Sequence, residues 1–315
     1  MKRLVLTILL LAGTLNTLRA QYDVHFTHYA EMENFYNPAA MNRDSRLNAM
    51  LSYSMQMAGY EGAPTSLYAG ASMALPFNHL RHSMSFSLFN ENIGLFSSQH
   101  MALDYAYKIN LGKGWLNLGI QGAIMSQSFD GTKVNARTGN DPAFPAGNEK
   151  GTGTDFGAGL FYVRGNLSLG ASVQHVNSPH VELGKPDEAT AFIDICPMYY
   201  VQGQYNIQTR NPLLSVQPCF MLASDLQSFR ADIRTTVSYR YDRFLLYAGA
   251  GYSPKISGTV LLGGTVGDVT IGYAYGLFTG GVGALNGSHD LLVNWKKDVD
   301  LFSNGRNSHK SIRFL

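Results

Sequence analysis

The sequence is short of several things, and each shortage excludes a class of protein. It has 2 cysteines in 315 residues, too few for a disulfide scaffold. Cys196 and Cys219 also lack a metal-binding spacing. The expected turn near Asn211 and Pro212 does not set them opposite one another, so two unbonded thiols are expected in preference to a bridge. Charged residues make up only 15%, with a formal net charge of +2. No basic run is flanked by stacking aromatics, so nucleic acid is not an expected partner. Beyond residue 20 no apolar run reaches the roughly 18 residues that a membrane-crossing helix needs.

Catalytic signatures are missing as well. There is no HExxH, no phosphate-binding loop and no GxSxG elbow. Ser288, His289 and Asp290 are adjacent, and adjacent strand residues point to opposite faces, which is the wrong geometry for a triad. The glycine-rich pieces at 249–251 and 280–283 do not sit between a strand and a helix. Asp130, Asp141, Glu149 and Asp155 cluster around one loop with irregular spacing, and a solvated loop is favoured over a calcium site. No cofactor and no metal are expected, and the chain does not read as an enzyme.

What the sequence has is glycine (33), tyrosine (18) and phenylalanine (17), arranged with a period of two. The clearest stretch is 98–126. Met101, Leu103, Tyr105, Tyr107 and Ile109 alternate with His100, Ala102, Asp104, Ala106 and Lys108. After the Gly112-Lys113-Gly114 turn, Leu116, Leu118, Ile120 and Ile124 alternate with Asn117, Gly119, Gln121 and Ala123. A strand sends successive side chains to opposite faces, so each run has one greasy face and one small, polar face. The pattern returns along the chain, giving about 14 strands between residues 47 and 296. Connections of even rank are short, and the long ones (127–153, 177–196 and 278–288) all have odd rank. Short turns on one rim and long loops on the other are expected of a membrane barrel.

The expected fold is therefore all-β: a transmembrane antiparallel β-barrel of about 14 strands with a periplasmic N-terminal arm. Residues 1–20 read as a signal peptide, with Lys2 and Arg3 before an apolar core. Residues 21–46 form the arm, 47–296 the outer-membrane barrel and 297–315 a tail, and the loop parity puts both termini in the periplasm. The arm is crowded with Tyr22, Phe26, Tyr29, Phe35 and Tyr36; it either plugs or braces the barrel or offers a surface to a partner protein. Asp104, Lys108, Asp232, Arg234 and Arg240 are expected to face the lumen as a polar lining. Tyr53, Phe86, Tyr107, Trp115, Tyr239, Tyr273 and Trp295 are candidates for the interfacial aromatic belts.

Phe26-Thr27-His28-Tyr29 followed by Asn37-Pro38-Ala39-Ala40 resembles the opening motif of the PorP/SprF family. The resemblance continues through Gly62-Ala63-Pro64-Thr65, Asn90-Glu91-Asn92-Ile93-Gly94, Asn140-Asp141-Pro142-Ala143-Phe144, Asp155-Phe156-Gly157-Ala158-Gly159 and Gly287-Ser288-His289-Asp290. Two departures, Met41 and Met57, stand where the family usually has Gly and Trp. The resemblance implies a non-enzymatic barrel of the type IX secretion and gliding machinery. It would work with periplasmic secretion-ring subunits and a peptidoglycan-binding lipoprotein, and with secreted client proteins bearing C-terminal sorting domains. On that basis Phe26, Tyr29, Asn37, Pro38, Ala39, Asp141, Pro142 and Phe144 are candidate partner-binding residues. The alternative from the residues alone is an outer-membrane channel for a small solute.

Overall fold

The computed structural model describes residues 24–41, 46–75, 81–134, 147–184, 191–280 and 287–298. The leader at 1–20, the tail beyond 298 and the loop carrying Asp141, Pro142 and Phe144 lie outside the described residues.

Antiparallel strands follow one another along the chain: β1 (Arg46–Met55), β2 (Thr65–Leu75), β3 (His82–Ile93), β4 (Phe96–Leu111), β5 (Gly114–Asp130), β6 (Asn148–Arg164) and β7 (Leu167–Gln174). After them come β8 (His180–Leu183), β9 (Ala191–Asp194), β10 (Met198–Tyr205) and β11 (Ile207–Gln208). The chain then continues with β12 (Leu214–Ser224), β13 (Phe229–Tyr241), β14 (Phe244–Ser253), β15 (Ser257–Val266), β16 (Val269–Phe278) and β17 (Ser288–Asp298). Within β1–β7 and within β12–β17 each strand pairs with the next, β7 pairs with β10, β1 with β17 and β10 with β12, which closes the sheet into a barrel. The closed wall has 14 strands, as the alternation predicts.

Two of the remaining short strands, β8 and β9, pair only with each other. The third, β11, is the continuation of β10. Gln204 pairs with Cys219 and Ile207 with Val216, so the register runs on unchanged past Pro218. Proline has no N–H to give to a ladder, and the interruption falls where Pro218 stands.

The hairpin of β4 and β5 shows why the wall has two characters. Met101 pairs with Ile124, Tyr105 with Ile120 and Tyr107 with Leu118, all on the outward parity. Met101 is 50% exposed, Leu103 52%, Ile120 62% and Ile124 60%, far too much contiguous apolar surface for water. On the inward parity Asp104 pairs with Gln121, and the Gln121 amide donates to Asp104 Oδ1 at 2.8 Å. An apolar outside and a hydrogen-bonded inside are the pattern of a lipid-embedded barrel. Leu111 pairs with Gly114 at the turn, where Gly112 takes a φ of 60°, a left-handed backbone that glycine adopts without a Cβ clash.

The long strands correct two expectations. The first long loop is shorter than 127–153, because β5 and β6 stay paired as far as Asp130 and Asn148. Among the expected belt residues, Trp115 is on the inward parity and packs with Phe161, Val163 and Ala39. It follows the odd-numbered set of β5 together with the buried Asn117, so it belongs to the interior.

The short connections 112–113, 165–166, 209–213, 242–243 and 267–268 lie on one rim. Arg46 pairs with Asp298, so the barrel begins and ends on this short-turn rim. Among the described residues no helix is long and apolar enough to cross a membrane.

Candidate functional site: the arm in the lumen

Residues 24–41 lie inside the barrel, the plugging alternative of the sequence analysis and not an arm in the periplasm. Val24 sits in the cavity below the long loops, whereas Ala40 and Met41 line the cavity at the short-turn rim. The arm therefore threads the lumen before the chain turns into β1. It contains one short helix, α1 (Glu33–Tyr36), ended by Asn37, whose extended backbone (φ −143°) suits a residue before proline.

Its apolar side chains make a core with the inward-facing wall. Phe26, Tyr36 and Met32 are 0–1% exposed and pack with Tyr68, Met198, Tyr200, Met221 and Leu292. Phe35 stacks edge-on against Phe26, Tyr36 and Tyr68 at ring-centroid distances of 4.9–5.3 Å. Burying side chains of this size is worth about 2 kcal/mol each.

The polar contacts encircle the arm. The Thr27 amide donates to Asp290 on β17 at 2.6 Å, and Asn34 Nδ2 donates to Ser85 on β3 at 2.9 Å. Asn117 on β5 donates to the Ala39 and Met41 carbonyls at 3.0 and 2.7 Å. On β7, Ser172 donates to the Tyr36 carbonyl at 2.7 Å and Gln174 to the Phe35 carbonyl at 2.7 Å. Gln204 on β10 donates to Glu33 at 3.0 Å. A chain with no sheet partner has to satisfy its backbone groups somewhere, and here the wall does it.

Asn37, Pro38 and Ala39 fit the wall most closely. Asn37 is fully buried, and its Nδ2 donates to the Leu160 carbonyl at 3.0 Å. A methyl group on Gly159 would overlap Asn37 Oδ1, and one on Gly119 would overlap the Ala39 amide nitrogen. These strand positions are glycine because backbone and arm meet there without room for a Cβ.

Arg234 on β13 is the main ionic anchor. It is 4% exposed, donates through Nη2 to both oxygens of Glu31 at 2.7 and 2.9 Å and through Nη1 to the Thr27 carbonyl at 3.1 Å, and lies 5.1 Å over the Tyr29 ring. Burial opposes ionisation of Glu31, but Arg234 and the neighbouring His28 outweigh it and hold the carboxyl down at about 2. His25 is also displaced: burial first, then the charge of Arg230, lower it to about 3 against the pull of Asp232. Its imidazole is therefore neutral at physiological pH, 3.5 Å from Asp232.

Of the expected lumen residues, Asp104, Asp232 and Arg234 are buried inside. Lys108 is on the same parity as Asp104, with its ammonium 5.3 Å from the Trp115 ring centre. Arg240 is exposed and lines the cavity at the short-turn rim. Phe26, Tyr29, Asn37, Pro38 and Ala39 are all buried against the wall. Asp290 holds the Thr27 amide while its neighbour His289 contacts Tyr273 on the exposed side, so the two do take opposite faces.

Sequence reasoning missed one cluster. Asp155, read as a loop acid, is fully buried on β6; its Oδ2 accepts from His100 Nε2 at 3.0 Å and from His175 Nδ1 at 2.9 Å. The parity of β6 was a usable signal, since Asp155 shares it with Gly157, Gly159 and Phe161.

The arm leaves a cavity on each side. The one at the short-turn rim has about 840 Å³ and is lined by polar and charged groups, among them Arg46, Arg240, Asp242 and Lys296. The one below the long loops has about 860 Å³ and is lined more by aromatic and aliphatic side chains. Asn34 and Phe35 border both.

A closed barrel with an apolar outer band and a plugged lumen defines an outer-membrane β-barrel protein. The chain matches the family of the type IX secretion system membrane protein PorP/SprF over residues 18–295, and it belongs to that family. No curated relative matches the chain. Among solved structures, a Pseudomonas aeruginosa FadL homologue shares the fold, with a TM-score of 0.50 at 12% identity over 83% of this chain and 92% of that one. The Ralstonia pickettii toluene transporter TbuX superposes with a TM-score of 0.49 at 13% identity, covering 84% and 92% of the two chains. The Acinetobacter baumannii outer membrane protein Omp33 gives 0.45 at 6% identity, over 81% and 99%.

Proposed function

We propose that this chain is a non-catalytic docking barrel of the type IX secretion machinery. The short-turn rim, where the strands begin and end, faces the periplasm and meets secretion-ring subunits and a peptidoglycan-binding lipoprotein. The long-loop rim faces outward and meets client proteins that carry C-terminal sorting domains, with Asp141, Pro142 and Phe144 as the candidate contact residues. One observation supports this reading above the others: the arm fills the middle of the lumen and is bonded to strands all around it. A barrel occupied in this way works through its rims. Phe26, Tyr29, Asn37, Pro38 and Ala39 brace the barrel while the arm is docked, and a partner reaches them only by drawing the arm out.

Affinity purification from cells in mild detergent tests the reading. Periplasmic partners are expected with the full-length barrel, and clients are expected to be lost from the cell surface in a deletion strain. Recovery of the barrel alone, with client display intact, would overturn it. The second reading, a small-solute channel gated by the arm, is favoured by the two cavities that face each other across Asn34 and Phe35. It predicts solute uptake that rises when residues 24–41 are removed.

A further inference from the structure

The cavity below the long loops is not used by the docking role. Its volume of about 860 Å³ is within the range of small-molecule sites, which are mostly apolar with a few placed polar groups. The arm closes its floor through Val24 and Phe35, and Phe89, Met125 and Ile193 supply apolar wall. The β8–β9 hairpin supports that wall, with Val181 and Leu183 buried against Met125 and Phe129.

His100 also lines this cavity, and its Nε2 is committed to Asp155 at 3.0 Å. A neutral imidazole that donates its N–H to a carboxylate is fixed in one tautomer, and its other nitrogen carries a lone pair. In that neutral form His100 Nδ1 is the acceptor left for a ligand, oriented by Asp155. Asp155 is itself fully buried and receives a second bond from His175, so the imidazole is held in place from behind.

We propose that this vestibule binds a small, uncharged apolar molecule carrying a single hydroxyl group, with its body against Phe35, Phe89 and Met125 and its hydroxyl donating to His100 Nδ1. The ligand needs no passage through the arm, so the site stands whether or not the docking reading holds.

The test uses full-length barrel in lipid nanodiscs, titrated with 2-naphthol and with naphthalene as the hydroxyl-free control. Saturable binding of one 2-naphthol per barrel is expected, above the linear partitioning into empty nanodiscs. His100→Phe should weaken 2-naphthol at least tenfold and change naphthalene less than twofold. Gln127→Trp, which fills the cavity from its rim, should abolish both. Linear uptake equal to that of empty nanodiscs would overturn the proposal, as would an equal effect of His100→Phe on both probes. Should one variant fail to fold, the comparison of the two probes on the unaltered barrel still decides: no preference for 2-naphthol refutes the hydrogen bond.

Discussion

Arg234 on β13 and Glu31 in the arm are 203 residues apart in sequence and meet with both carboxylate oxygens within 2.9 Å of one guanidinium nitrogen. Arg234 is almost fully removed from water while the arm is docked and Glu31 only in part, so the guanidinium depends on Glu31 for its compensation.

Removing one partner should therefore release the arm. Arg234→Met leaves Glu31 with only His28 and the adjoining cavity and should cost roughly 1–3 kcal/mol of docking, whereas Arg234→Met combined with Glu31→Leu should recover most of it. Cys219 provides the readout, since it is 6% exposed with its Sγ 3.5 Å from Tyr29 Oη. Maleimide labelling of Cys219 should be slow in the unaltered barrel, fast in Arg234→Met and slow again in the double variant.

A methyl group should do what a charge does by a different route. Gly159→Ala places a Cβ against Asn37 Oδ1, and relief requires Asn37 to leave the Leu160 carbonyl. Overpacking together with a lost buried hydrogen bond should cost roughly 2–4 kcal/mol of arm docking. The β-sheet itself should survive, so heat-modifiable migration in gels is retained while protease cuts the arm.

Acid should loosen the arm in two stages. The free arm binds a proton on His25 at its ordinary value of 6.5, the docked arm only near 3. Docking is therefore strongest above pH 6.5 and weakens as pH falls toward 3, by at most about 1.4 kcal/mol per pH unit. Glu31 is depressed from 4.5 to about 2, so its contribution is present above pH 4.5 and is lost between 4.5 and 2. Trp115, packed near Ala39 and Ala40, reports the change once Trp295→Phe removes the other indole. Its emission should shift below pH 6.5, and His25→Phe should confine the shift to pH below 4.5.

The two faces of one strand should respond in opposite ways. Ile120→Arg puts a charge on the lipid side and should cost about 2–4 kcal/mol, depending on depth. Gln121→Leu, one residue on, removes the donor to Asp104 Oδ1 and should affect the interior, at roughly 1–3 kcal/mol. Folding yield into vesicles should fall for the first variant. For the second, yield should hold while Cys219 labelling rises, because Asp104 also takes Asn34 of the arm at 3.4 Å.

The alternation of Met101, Leu103 and Tyr105 with Ala102, Asp104 and Ala106 was legible because a strand has a period of two and neighbouring strands repeat it in register. Trp115 was misplaced for a related reason. It is the second residue of β5, and an aromatic at a strand end looks the same whether it points to lipid or to the lumen. Asp155 was missed because His100 lies two strands away on β4 and His175 just past the end of β7, and only the register of β4–β7 brings the three together.

Sequence by itself thus determined the wall: number of strands, lipid face, polar lining and short-turn rim. Each follows from side-chain polarity repeated along a backbone of fixed geometry. Only the tertiary structure decided where residues 24–41 go. An aromatic arm has no periodicity to place it, and the polar residues of the wall do not state what will satisfy them. The answer is in the glycine gaps at Gly119 and Gly159 and in the buried Arg234, features that specify the arm only after the barrel has closed around it.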